Sequence, residues 1–146
     1  MYKHLLVAID GSEYALKAAK HGLDLAKALS AKVTVIIVTE RWSSIALSEI
    51  AVGLSEQGYA DRAAEYAGIC LARVEDEAKQ RGLICDMVHL SGPLPYVAII
   101  KTATERGIDL IVVGGHGHRG MIGLLLGSET TKILTHCKLP VLVYRE

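Results

Sequence analysis

Short apolar runs alternate with longer amphipathic stretches along this chain. Most of the runs are rich in Val, Ile and Leu and lack the regular alternation of a half-exposed strand, which predicts β-strands buried on both faces. The five runs are His4–Ile9, 32–38, 86–90, 110–113 and Val141–Tyr144.

Helical patterns separate these runs. Ser12 can cap a first helix, whose apolar residues recur at helical spacing. Further helices are predicted over 63–81, Pro95–Glu105 and Ser128–His136, and Gly82 and Gly107 follow two of them as stops. The stretch 39–58 fits neither period and is predicted to be a long connection with room for one helical turn.

The order βαβαβαβαβ predicts the α/β class. We expect one doubly wound, five-stranded parallel sheet with right-handed crossovers and helices on both faces. The chain of 146 residues is expected to form one domain, 1–146.

Charge and cysteine content exclude several classes of protein. Lys plus Arg and Asp plus Glu both number 16, so no net positive charge draws the protein to nucleic acid or anionic lipid. No apolar run reaches the length of a membrane span, and the first residues are typical of a strand rather than a signal peptide. Three widely spaced cysteines favour a reduced, cytoplasmic protein.

The stretch GGHGHRGMIGLLLGSETT, residues 114–131, holds six of the fourteen glycines. In doubly wound sheets, ligands bind beyond the carboxyl ends of the strands, where the strand order reverses. If the fourth strand lies beside the first, this stretch faces the segment AIDGS, residues 8–12, across a crevice.

The end of the glycine-rich stretch is suited to an anion. Gly127 and Ser128 begin a predicted helix, whose free N–H groups and dipole favour phosphate. The hydroxyls of Ser128 and Thr130 can add hydrogen bonds. The chain lacks G-x-x-x-x-G-K-[ST] and has no G-x-G-x-x-G after its first strand, so Walker-type NTPases and dinucleotide folds are excluded.

The spacing Gly114-x-x-Gly117, nine residues, then Gly127-Ser128 resembles the nucleotide motif of the universal stress proteins, specifically their ATP-binding branch. The resemblance covers essentially the whole chain, from the opening LLVAIDGSEYALKAAKHGLDLA to the closing GSETTKILTHCKLPVLVYRE. It implies strand order 3-2-1-4-5 and a homodimer paired through Val141 to Tyr144. The implied ligand is ATP or AMP, with Mg²⁺ or Mn²⁺ as a possible companion.

The resemblance also assigns roles to individual residues. Asp10 resembles the family's carboxylate facing the ribose or phosphates, and the backbone of Ala8 and Val38 resembles the part that meets adenine. The implied nucleotide site comprises Ala8, Asp10, Val38, Val113, Gly114, Gly117, Gly127, Ser128 and Thr130.

Two of these assignments leave alternatives open. Asp10 can instead form a turn or helix cap beside Gly11, and the two roles can coexist. Glu129 stands where the family usually has a small apolar residue. Pointing outward it changes little, whereas pointing inward it would weaken ATP relative to AMP or adenosine.

Three functions follow, and the first is favoured. It is an adenine-nucleotide-binding regulatory protein of the stress response. The second is a slow ATPase, which the sequence disfavours because no base beyond Asp10 and no cationic clamp for the γ-phosphate is evident. The third is a dimeric interaction scaffold without nucleotide, which the intact glycine motif disfavours.

Overall fold

The computed structural model describes residues 1–42, 53–116 and 126–146. Within these ranges the elements are β1 (His4–Ile9), α1 (Glu13–Leu29), β2 (Lys32–Thr39), α2 (Glu56–Gln80), β3 (Cys85–Ser91), α3 (Pro95–Glu105), β4 (Leu110–Gly114), α4 (Ser128–His136) and β5 (Val141–Tyr144). The strands form one parallel sheet in the order β3-β2-β1-β4-β5. The predicted α/β class and strand order are confirmed.

Strand β1 lies at the centre of the sheet. Leu5 pairs with Val33 of β2 on one side and with Leu110 of β4 on the other. Leu5, Leu6 and Val7 are fully buried, because helices cover both faces here. The predicted burial on both faces holds for β1, β2 and β4, whereas β3 and β5 are edge strands and are only partly covered.

The helices pack in two layers, one on each face of the sheet. Residues of α1 and α2 pack with Leu5, Val7 and Val35 in one apolar core. Residues of α3 and α4 pack with Leu6, Ala8 and Ile36 in a second core. Helices on both faces were predicted and are confirmed. Within the described ranges, no helix combines the length and the hydropathy needed to cross a bilayer.

The first helix approaches the sheet closely because its buried stripe is made of small residues. Ala15, Ala18, Ala19 and Ala26 are buried beside Leu23. A Cβ at Gly22 would lie 3.1 Å from Val112 and 3.2 Å from Val7, so a larger residue would push α1 away from the strands.

The second helix begins earlier than predicted, at Glu56 rather than residue 63. Ser55 caps it by accepting a hydrogen bond from Gly58 N at 3.0 Å. The predicted connection 39–58 is therefore shorter than expected, and its residues 43–52 lie outside the described ranges. Gly82 and Gly107 follow α2 and α3 with φ of +73° and +66°, as expected of helix stops.

At the amino edge of the sheet, one carboxylate ties β1 to the segment before β4. Asp109 accepts hydrogen bonds from Lys3 N at 2.9 Å and His4 N at 3.1 Å. Partial burial raises the pKa of Asp109, but the backbone N–H donors outweigh it, and the net shift is downward. This contact fixes the register of β1 at the end of the sheet opposite the site described next.

Candidate nucleotide site

A cleft of about 1090 Å³ opens at the carboxyl edge of the sheet. It lies where the chain order reverses between β1 and β4, which is where doubly wound folds bind ligands. The ends of β1, β2 and β4 form its floor, α2 forms one wall, and the first turns of α3 and α4 form the other. Its volume is sufficient for a ligand of nucleotide size.

The end of β1 turns tightly into α1. Asp10 Oδ1 accepts a hydrogen bond from Ser12 N at 2.9 Å, and Ser12 Oγ accepts one from Ala15 N at 3.1 Å. Asp10 therefore forms this turn, which is one of the two roles expected for it. Asp10 also lines the cleft. The turn and a ligand contact remain compatible.

Tyr66 of α2 closes this turn from the side. Its hydroxyl donates to the Asp10 carbonyl at 2.7 Å. Gly11 has φ of +87°, and a Cβ there would come within 2.0 Å of the Tyr66 hydroxyl oxygen, so only glycine fits. Burial, followed by the Cys70 thiol and the Asp10 carboxylate, raises the pKa of Tyr66 to about 12.

The glycine-rich end of β4 is joined directly to the start of α4. Gly127 N donates to the Gly115 carbonyl at 2.8 Å, and Gly115 N donates to the Tyr144 carbonyl at 2.7 Å. Thr130 Oγ1 donates to the Gly114 carbonyl at 2.8 Å and is buried. The Thr130 hydroxyl proton is thus used within the protein, where it braces α4 against β4.

The first turn of α4 keeps backbone donors available. Gly127 is its N-cap and offers no side-chain acceptor. Among the described residues, no acceptor takes the N–H groups of Ser128 and Glu129, and Thr131 N donates to the Gly127 carbonyl at 3.0 Å. Ser128, Glu129 and Thr130 line the cleft, so the positive end of the α4 dipole faces it.

The Glu129 side chain, whose direction the sequence left open, lies in the cleft wall and reaches towards α3. Its Oε2 accepts a hydrogen bond from Tyr96 N at 3.0 Å, and its Oε1 lies 3.4 Å from Lys132 Nζ. Within the described chain, α3 receives no cap from its own N-cap residue, Leu94. Glu129 therefore caps α3 from the neighbouring helix.

The structure brings eight of the nine predicted site residues to the cleft. These are Ala8, Asp10, Val38, Val113, Gly114, Gly127, Ser128 and Thr130. The ninth, Gly117, lies outside the described residues. Their shared location agrees with the predicted site, and their contacts with a ligand stay a prediction.

Sequence reasoning missed the wall that α2 supplies. Tyr59, Arg62, Ala63 and Tyr66 line the cleft. Tyr59 donates its hydroxyl to the Glu40 carbonyl at 2.7 Å and lies 5.8 Å, centroid to centroid, from the Trp42 ring. The signal was Ser55 followed by Glu56, a helix start that would have placed Tyr59 and Arg62 on the first two turns.

The charged side chains of the lining are mostly acidic. Among its described residues, Asp10, Glu40 and Glu129 carry carboxylates and Arg62 carries a guanidinium. Any phosphate bound here must therefore be held mainly by backbone N–H groups and the α4 dipole rather than by a cluster of cations.

Comparison with known proteins identifies the family. The model of the universal stress protein family matches residues 1–145. The chain belongs to the universal stress protein family. Universal stress protein MJ0531 of Methanocaldococcus jannaschii is 31% identical over 150 residues, a match that covers 100% of this chain and 84% of that protein.

Solved structures of relatives share the fold. The structure of MJ0577 from Methanocaldococcus jannaschii superimposes with a TM-score of 0.83 at 26% identity, covering 100% of this chain and 97% of that one. A universal stress protein in complex with cAMP superimposes with a TM-score of 0.72 at 25% identity, covering 99% of this chain and 97% of that one.

Proposed function

We propose that this universal stress protein binds an adenine nucleotide in the cleft and acts as a regulatory protein of the stress response in the cytoplasm. The observation that carries the proposal is the first turn of α4, which lines the cleft and in which no described residue accepts the N–H groups of Ser128 and Glu129. Hydrogen bonds to a charged group are worth about 1.5–3 kcal/mol each, so a few backbone donors can hold a phosphate group without lysine.

The two ends of the cleft suit the two ends of a nucleotide. Ile37, Ile99 and Ile133 line it beside Ala8 and Val38, which provides an apolar place for a flat adenine ring. The phosphates would lie against Gly114, Gly117 and the first turn of α4, and the ribose against Asp10. A divalent ion bound with the phosphates would find the carboxylate oxygens that Mg²⁺ and Mn²⁺ prefer.

The relative solved in complex with cAMP supports the same ligand class. That protein is 25% identical and matches nearly the whole length of both chains, so the two share their fold.

Calorimetric titration with adenosine, AMP, cAMP and ATP tests the proposal directly. We expect saturable binding of at least one of these adenine ligands and weaker binding of the matching guanine compound. Neither heat nor a rise in melting temperature with any of the four would overturn the proposal and leave the interaction scaffold as the better interpretation.

We also propose that two copies pair through the outer edge of β5. Strand β5 is the last of the sheet, and the carbonyls of Pro140 and Tyr144 both point towards β4. Alternate residues of a strand direct their backbone groups to opposite sides. Val143, next to Tyr144, therefore points its N–H away from β4. Among the described residues no strand pairs with this outer edge, and an unpaired edge is a template for a second strand.

Sedimentation velocity of wild type and Val143→Pro tests the pairing. Proline removes the outward donor and leaves the bonds to β4 in place, so we expect a dimer for wild type and a monomer for the variant. Leu142→Pro, which removes a donor facing β4, is the destabilising control. A wild type that stays monomeric as its concentration is raised contradicts the pairing, because dimer formation follows mass action.

Slow ATP hydrolysis is a second candidate because of Arg62. The sequence offered no cation for the developing charge on the γ-phosphate, and the structure places this guanidinium in the cleft wall. We expect phosphate release with Mg²⁺ or Mn²⁺ to fall at least tenfold in both Asp10→Asn and Arg62→Gln. A rate that survives both substitutions belongs to a contaminating enzyme.

A further inference from the structure

We propose that Glu129 sets the phosphate charge that the cleft accepts, so that nucleosides with a single phosphate bind more tightly than the triphosphate. This inference rests on the proposed function, since it concerns the same cleft. It assigns a specificity role to a side chain that is not one of the predicted ligand contacts.

The position of Glu129 places a negative charge beside the phosphate donors. Glu129 is the second residue of α4, and its own N–H group belongs to the open first turn. Glu129 lines the cleft together with Ser128 and Thr130, and its side chain accepts the Tyr96 N–H in the adjoining wall. A phosphate bound by this turn would lie within a few ångströms of the carboxylate, where each added negative charge is repelled.

Moving the Glu129 carboxylate away from the cleft would cost free energy. Its Oε2 accepts the Tyr96 N–H at 3.0 Å and supplies the missing cap of α3. Turning the side chain towards solvent would leave that donor without its partner and α3 without a cap. The charge therefore stays where the phosphates would bind.

Lys132 partly offsets this charge without belonging to the cleft. Its Nζ lies 3.4 Å from Glu129 Oε1 and 5.7 Å from the centroid of the Tyr96 ring, and the residue is outside the lining. Removing Glu129's charge and removing Lys132's charge should consequently shift phosphate selectivity in opposite directions. A merely structural role for either residue does not predict opposite shifts.

The other charged residues that line the cleft also favour a monophosphate over a triphosphate. Asp10 and Glu40 add two carboxylates, and among the described lining residues only Arg62 carries a full positive charge. The α4 dipole supplies only about half a positive charge, so each phosphate beyond the first adds negative charge that this wall offsets less. A nucleoside monophosphate is accordingly the ligand class that fits.

The test compares the affinities of adenosine, AMP and ATP without divalent ions and at low ionic strength, where screening is weakest. The variants are Glu129→Gln, which keeps an oxygen to accept the Tyr96 N–H, and Lys132→Gln. Glu105→Gln is the matched control, because this carboxylate is exposed and pairs with Lys101 at the far end of α3. Melting temperatures without ligand establish that each variant folds.

We expect wild type to bind AMP more tightly than ATP. Glu129→Gln should tighten ATP about tenfold, or about 1.4 kcal/mol, and leave adenosine within about twofold. Lys132→Gln should weaken ATP several-fold, and Glu105→Gln should change no ligand.

Two results overturn the inference in distinguishable ways. If adenosine and AMP bind but Glu129→Gln changes all three affinities by the same factor, or leaves ATP unchanged, the role of Glu129 is wrong and the nucleotide site stands. If none of the three ligands binds to wild type, the proposed function itself is wrong, and so is this inference.

Discussion

Helices α1 and α4 start at the same edge of the sheet, on either side of the cleft, and their first turns are built in opposite ways. At α1, the Ser12 hydroxyl takes the Ala15 N–H and the Asp10 carboxylate takes the Ser12 N–H. At α4, the N-cap is Gly127, which has no side chain to offer.

The contrast shows how one fold can use the same kind of helix start for two purposes. A capped turn uses its donors inside the protein and gains about 1 kcal/mol of stability. An uncapped turn forgoes that gain and keeps its donors for a ligand. The uncapped turn is the one next to the glycine-rich segment, which is why we place the phosphates there.

The largest effect is expected from breaking the closed turn at Gly11. Gly11→Ala should lower the free energy of unfolding by about 3 kcal/mol, because it combines a positive φ with a collision against Tyr66. Urea denaturation measures the loss. Gly82→Ala is the control, since its φ of +73° is similar but nothing lies within 4 Å of an added Cβ. Equal losses in the two variants would contradict the close approach of Tyr66.

The second prediction adds a cap to the first turn of α4. Gly127→Asp gives α4 a cap and a negative charge, so AMP affinity should fall tenfold or more while the protein remains as stable as wild type. The φ of −58° at Gly127 is accessible to aspartate. Gly127→Ala, which provides no acceptor, should lose much less affinity in the same titration. Unchanged binding by Gly127→Asp would place the phosphates elsewhere.

Opening the capped turn should cost stability alone. Ser12→Ala removes the acceptor of the Ala15 N–H and should lower the free energy of unfolding by about 1 kcal/mol. Ser12→Thr keeps the hydroxyl and should lose less. AMP affinity, measured on both variants, should stay within about twofold of wild type, and a large decrease would mean that α1 also holds the ligand.

The smallest effect concerns pH and Tyr66. A folded-state pKa of about 12, against about 10 in the unfolded chain, means that the protonated phenol stabilises the fold. That contribution is complete below pH 10 and is lost as pH rises towards 12. Because 39% of the residue is exposed, we expect less than about 1 kcal/mol.

Denaturation at pH 9 and pH 11.5 measures this loss as the difference between Tyr66 and Tyr66→Phe. Both proteins should carry Cys85→Ala, because burial raises the pKa of the Cys85 thiol to about 11 and it titrates in the same window. Identical pH dependence with tyrosine and phenylalanine at position 66 would show that the phenol is not held as described.

The strands, three helix starts and the helix stops were accessible to sequence reasoning because each has a local cause. Apolar runs mark β1, β2 and β4, and Gly82 and Gly107 mark the ends of α2 and α3. The start of α2 was not found because its first two turns, 56–62, carry mostly polar residues and no apolar stripe. Those turns are held by distant contacts, such as Tyr59 with the Glu40 carbonyl, which no local pattern reveals.

The residues of the candidate site also fall into those that the sequence predicted and those that it did not. Residues on strand ends and on the glycine motif were predicted, because a parallel sheet brings its carboxyl ends together. Arg62 was missed along with the start of α2. The direction of Glu129 could not be predicted either, since it depends on an uncapped helix 33 positions away in sequence, at Tyr96.

The strand order has a consequence for the newly made protein. The central strand β1 leaves the ribosome well before one of its two neighbours, β4, which begins only at Leu110, and the wall built by α4 extends to His136. During synthesis the polypeptide therefore cannot assemble the complete pocket until nearly all of these residues have been translated. A ligand that contacts both β1 and α4 can consequently stabilise only chains in which α4 has already been made.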